Sequence, residues 1–168
     1  MNKEIDVYDY MNTIMKQLKK GVLITTQKND RVNTMSISWG KIGIEWNKLI
    51  FGTYVRFSRF THEMLESGEF TINIPLEGQD VSKIIAHCGT KSGRDTDKLA
   101  DLGLTPSEPL NISTPGLKQL PLTLECKVIY RQPQDETAIP QEIKDGFYKN
   151  GNFHEMFYGE IVGAYIAE

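Results

Sequence analysis

The chain has 168 residues, enough for one well-packed domain, and a composition of 39% hydrophobic and 24% charged residues that excludes global disorder. A formal net charge of -3 provides no basic field for gripping nucleic acid. No apolar run approaches the roughly 20 residues of a membrane-spanning helix, and the polar stretch Met1 to Tyr10 is unlike a signal peptide, so neither a membrane nor secretion is expected and the cytoplasm is the expected compartment.

From Val7 onward, Tyr10, Met11, Ile14, Met15 and Leu18 recur at three- and four-residue spacing and Gly21 follows as a stop, which predicts an amphipathic helix. Val22 to Gln27 is rich in β-branched residues, Lys28 to Arg31 reads as a turn, and Val32 to Trp39 resumes the β pattern, so a hairpin is predicted. Leu49 to Val55 is a further strand, and Arg59 to Ser67 turns helical before Gly68. Glu69 to Ile74 alternates as a half-buried strand does, and Asp80 suits the cap of a helix running to about Cys88. After the polar loop Gly89 to Arg94, Asp95 opens a short helix that ends before Gly103. Pro106, Pro109, Pro115 and Pro121 then break up a surface connection. Leu122 to Tyr130 reads as a strand, Pro140 to Phe147 as a helix, and Met156 to Ile166 as a long closing strand. Six or so strands joined by turns and short helices predict a mainly β, α+β fold with an antiparallel sheet. Curling it into a small barrel with peripheral helices removes exposed edges, and an open sheet is the alternative.

Several chemistries lack their signatures. There is no GxGxxG after a strand, no GxxxxGK[ST] and no GxSxG elbow; Gly89 to Gly93 only superficially resembles the second. His62, His87 and His154 stand apart without metal-ligand spacing, and no metal site is expected. Cys88 and Cys126 form no CxxC pair and read as free thiols.

Three segments carry a positive signal. Asn33-Thr34-Met35-Ser36-Ile37-Ser38-Trp39 sets short polar side chains along a strand that ends in a large aromatic, an arrangement that lies flat under a planar ligand. A strand with Thr and Ser facing solvent is the ordinary alternative. Tyr54 to Thr61 contributes Arg56, Ser58, Arg59 and Thr61 at a strand-to-helix turn, where arginine forks and hydroxyls suit a phosphate, although surface arginines paired with acids would look the same. Cys88 to Lys98 is a loop rich in glycine, cations and hydroxyls, able to close over a ligand edge or simply to cap a helix.

At these three blocks, and at the closing strand Gly159-Glu160-Ile161-Val162, the sequence resembles the flavin reductase-like family with the FMN-binding split barrel, especially its short flavoredoxin-like members. The resemblance covers nearly the whole chain as one domain, 1–168. It implies an antiparallel Greek-key split β-barrel with short peripheral helices that forms a homodimer, with FMN near the subunit interface. By this similarity Asn33, Thr34, Met35, Ser36 and Trp39 lie along the isoalloxazine, Arg56, Ser58, Arg59 and Thr61 near the phosphate, Lys91 and Ser92 at the ring's polar edge, and Phe157 beside the flavin. A cation such as Lys91 near the pyrimidine end would raise the flavin's reduction potential. The chain departs from some flavoredoxin-like relatives in having no histidine at Tyr130 to Pro133.

The family implies an oxidoreductase in which FMN takes a hydride from NAD(P)H, a transient donor stacked on the flavin, and passes electrons to a second acceptor, as flavin and ferric reductases do. The alternative is a flavoredoxin-like electron carrier served by a small redox protein. A third reading is a binding module that keeps the barrel and has lost the flavin.

Overall fold

The β-branched and alternating segments all enter one sheet. The computed structural model describes residues 1–168, beginning with β1 (Lys3–Glu4), a 3₁₀ turn (Val7–Tyr10) and α1 (Met11–Lys20). Four strands follow, β2 (Val22–Lys28), β3 (Arg31–Ile37), β4 (Gly40–Glu45) and β5 (Lys48–Arg56), then α2 (Phe60–Met64) and β6 (Glu69–Ile74). Next come α3 (Ser82–Thr90), α4 (Lys98–Leu102) and the small ribbon β7 (Pro106–Ser107) and β8 (Gly116–Leu117). The chain finishes with β9 (Leu122–Pro133), α5 (Gln141–Phe147) and β10 (His154–Ile166).

The large sheet is antiparallel and runs β3-β2-β6-β9-β10-β5-β4, with β1 added against β10. β3 and β4 occupy opposite edges of this order, yet only Ser38 and Trp39 separate them in sequence. Three Cα-to-Cα steps from Ile37 to Gly40 span at most about 11 Å. The sheet therefore curls until its two edges nearly meet. They do not pair, and the gap between them is the split of the barrel.

Strand alternation sorts the core. Val22, Ile24, Met35, Ile37, Phe51, Phe70, Ile72 and Leu124 belong to the main hydrophobic cluster, and Ile14 and Leu18 of α1 plug into it. Leu23, on the other face of β2, joins Cys88, Leu104, Leu117 and Leu120 in a second cluster beneath α3, α4 and the proline-rich connection. β2 is thus buried on both faces. Polar residues in this outer layer satisfy one another: Asn73 Nδ2 donates to Thr25 Oγ1 at 2.9 Å, and its Oδ1 accepts from the Leu117 backbone at 2.8 Å.

One strand lies where the sequence pattern predicts none, and one helix cap differs from the expected residue. Gly40–Glu45 forms an edge strand although its two glycines weaken any β signal, because pairing with β5 and the turn at Trp46 and Asn47 (φ 53° and 56°) complete a hairpin. The cap of α4 is Asp97 rather than Asp95: its carboxylate accepts from Leu99 N and Ala100 N, both at 3.1 Å. Asp97→Ala is expected to lower stability by about 1 kcal/mol, read as a shift in the urea midpoint at unchanged slope.

Candidate functional site

Two clefts open along the split. The first, of about 250 Å³, is formed by Met35 to Ile37 of β3, the Ser38–Trp39 link, Tyr54 and Arg56 at the end of β5, and Arg59, Gly89 and His154. The second, of about 400 Å³, lies between Asn33, Ser58, Arg59 and Thr61 on one side and Thr90 to Asp95 with Lys98 on the other. Met35 and Arg59 line both. β3 pairs only with β2, so its remaining edge faces this groove with backbone groups outside the ladder. The loop after α3 presses closely on β3: a Cβ at Gly89 would stand 2.6 Å from Ser36 Oγ, and one at Gly93 would collide with Asn33 Oδ1.

The groove concentrates positive charge, and three of its cations, Arg56, Arg59 and Lys98, have no acidic partner, whereas Arg94 pairs with Glu63. Arg59 Nε donates to the Met35 thioether at 3.0 Å and Nη1 to the Gly89 carbonyl at 3.2 Å. Arg56 donates to the carbonyls of Asn152 (2.6 Å) and Phe147 (3.0 Å) and lies over the Tyr148 ring. Lys98, buried to 4% exposure, donates to the carbonyls of Thr34 (2.8 Å) and Cys88 (3.1 Å). None of these acceptors is a carboxylate. Burial, then the neighbouring Arg56 charge, lowers the Arg59 pKa, and burial holds the Lys98 amine down to about 8. Cations kept this way cost free energy, which an incoming anion offsets.

His154 is the least expected member. Its backbone N–H (3.1 Å) and the Tyr148 hydroxyl (3.0 Å) both donate to Gln134 Oε1. The Tyr148 oxygen, its proton engaged, then accepts from His154 Nδ1 at 2.7 Å. This assigns the ring proton to Nδ1 and leaves Nε2 as an acceptor without a protein partner. Burial, then Arg56, holds this imidazole down to about 4, so it is neutral at pH 7.

Residues 15–168 match the model of the flavin reductase like domain. The chain belongs to this family. Flavoredoxin of Desulfovibrio vulgaris (Miyazaki F) superposes with a TM-score of 0.67 at 25% identity, over 88% of this chain and 69% of that one. An FMN-binding domain of a flavin reductases-like enzyme from Shewanella baltica shares the fold, with a TM-score of 0.66 at 19% identity over 99% of this chain and 78% of the other. An uncharacterized protein of Archaeoglobus fulgidus is 27% identical over 134 residues, 79% of this chain. The chain spans 64% of that relative's length.

The split barrel of this flavin reductase-like chain brings most of the predicted residues into one groove, but in different groups. Ser36, Trp39 and Arg56 line the first cleft; Asn33, Ser58, Thr61, Lys91 and Ser92 line the second; Met35 and Arg59 join them. Arg56 therefore stands with Trp39 and not with Ser58 and Thr61, whereas Lys91 and Ser92 stand with Ser58. Thr34 turns its hydroxyl away, bonding Thr25 and the Ile24 carbonyl, and only its backbone carbonyl meets Lys98. Asn33 Nδ2 donates to Thr61 Oγ1 at 3.0 Å, tying β3 to α2. Phe157 is wholly buried in the main cluster and lines neither cleft, because its position on β10 alternates away from the face that carries His154.

His154, Tyr54 and Lys98 also line the groove, although their sequence pattern does not single them out. His154 opens the closing strand, and nothing in its own neighbourhood marks it; pairing of β10 with β5 sets it opposite Arg56. Lys98 lay within the polar loop segment and one residue beyond the Asp97 cap, where a lysine usually reads as solvated.

Proposed function

We propose that the two clefts together hold FMN and that the protein is an oxidoreductase moving electrons between NAD(P)H and a second acceptor. The carrying observation is the pairing of an unpaired strand edge with Arg56, Arg59 and Lys98, none of which has an acidic partner. The residues suit the group: an anionic tail fits the second cleft, where Arg59, Lys91 and Lys98 face one lining acid, Asp95, while Arg94 is paired with Glu63, and a planar ring fits the first, beside Trp39 and Tyr54. Arg59 lies between the two regions and leaves its weak thioether acceptor for a phosphate oxygen. Neutral His154 offers Nε2 as an acceptor toward a donor group in the first cleft. Bound there, the flavin supplies two-electron chemistry, and the protein's task is to hold, orient and tune it.

The similarity to a flavoredoxin favours a second reading, an electron carrier reduced by a small redox protein. One sample separates them. Protein incubated with FMN and desalted retains its yellow colour under both readings; anaerobic NADH or NADPH bleaches it promptly under the first and only slowly under the second. Loss of colour on desalting, confirmed by a flat titration, would reject both.

The proposed assembly is a homodimer with FMN near its interface. Trp46, in the turn between β4 and β5, and Tyr130 of β9 are exposed aromatics whose rings lie 6.0 Å apart, an apolar contact suited to such an interface. Sedimentation at micromolar concentration is expected to give twice the chain mass, and Trp46→Glu to shift it toward the monomer.

A further inference from the structure

A third groove, of about 680 Å³, adjoins the first cleft on the outside of the barrel between α1, β4 and α5. Its walls are mainly apolar, and Met15, Trp39, Ile143 and Phe147 are all exposed within it. Such a cluster is more than scattered surface hydrophobics. The aromatic walls are already arranged: Trp39 meets Phe147 edge to face with centroids 5.2 Å apart, and Lys41 Nζ sits 5.7 Å from the Tyr54 centroid. The only charged residues lining the groove are Lys19 and Lys41; no aspartate or glutamate is among them. Ser38, Trp39 and Tyr54 line both this groove and the first cleft, so an occupant would share a wall with that cleft.

We infer that this groove binds a small planar aromatic anion, its ring against Trp39 and Phe147 and its acidic group toward Lys19 and Lys41. The apolar walls alone would suit many partners, but a wall that carries two lysines and no carboxylate selects for negative charge. The groove's place beside Trp39 makes it the acceptor subsite of the flavin cleft, and this last point rests on the flavin reading above.

The test uses the full chain with Trp46→Phe, which leaves Trp39 as the only tryptophan, and 4-nitrobenzenesulfonate as the probe. Saturable quenching of Trp39 is expected. Lys19→Glu and Ile143→Glu, both at exposed positions, should each raise the half-saturating concentration at least tenfold, while FMN retention after desalting stays unchanged. Absence of saturable quenching, or quenching that neither substitution alters, would overturn the inference. Sedimentation of the same samples covers the other occupant: a dimer that Ile143→Glu dissociates, with no probe bound by the parent, would make the groove an interface and also overturn it. Probe binding without FMN retention would leave the aromatic-anion site standing and remove only its role as acceptor subsite.

Discussion

Arg59→Ala is expected to weaken FMN by about 100-fold or more while riboflavin loses far less. A guanidinium gives a phosphate two charge-assisted hydrogen bonds, each of roughly 1.5–3 kcal/mol, and about 1.4 kcal/mol is a factor of ten in affinity. Arg59 has little to lose elsewhere, since its side chain holds only a thioether and one carbonyl. The fold should tolerate the change, which an unchanged thermal midpoint would confirm. Arg56→Ala should behave differently. That residue lines the cleft with Trp39 and is tied to the carbonyls of Phe147 and Asn152, so both ligands should lose comparable affinity. Equal losses for FMN and riboflavin with Arg59→Ala would place the phosphate elsewhere.

Acid is expected to weaken the native state in a window set by His154. Its native pKa of about 4 lies below the ordinary 6.5, through burial first and the Arg56 charge second. Between pH 6.5 and 4 the unfolded chain holds a proton that the native imidazole refuses. Stability therefore falls as pH drops through this window, by up to about 3 kcal/mol, and is unaffected by this group above it. Carboxylates act lower. Glu155, held down by Arg131 and also by His62, contributes stability above its ordinary 4.5 that is lost as pH falls through its depressed native value. Urea midpoints at pH 7, 5.5 and 4.5 should decline for the wild type, and the decline down to pH 4.5 should flatten in His154→Gln. Parallel curves for the two proteins would show that the imidazole is not held neutral in the folded state.

Strands and helices are legible in the amino-acid pattern wherever a period is strong. Val22 to Gln27, Glu69 to Ile74 and Leu122 to Tyr130 alternate or run apolar because each must fill a core face, and the helix from Met11 carries its stripe for the same reason. The pattern also marks the stretches that line the candidate groove, which are rich in small hydroxyls, arginines and glycines. Packing decided the rest. Gly40–Glu45 becomes a strand only because β5 lies beside it, and Ser38 and Trp39 become a cleft wall only because the sheet curls to bring its edges together. Phe157 and His154 stand three residues apart on one strand, yet one fills the core and the other faces the groove, because the strand's two faces meet different surroundings. Lys98 reads as a solvated lysine until α4 folds it against two carbonyls, and Arg56 parts from Ser58 once its side chain finds Phe147 and Asn152. Local periodicity records what each segment must bury; which side chains meet across the split is a long-range consequence of sheet closure, and only the tertiary structure holds it.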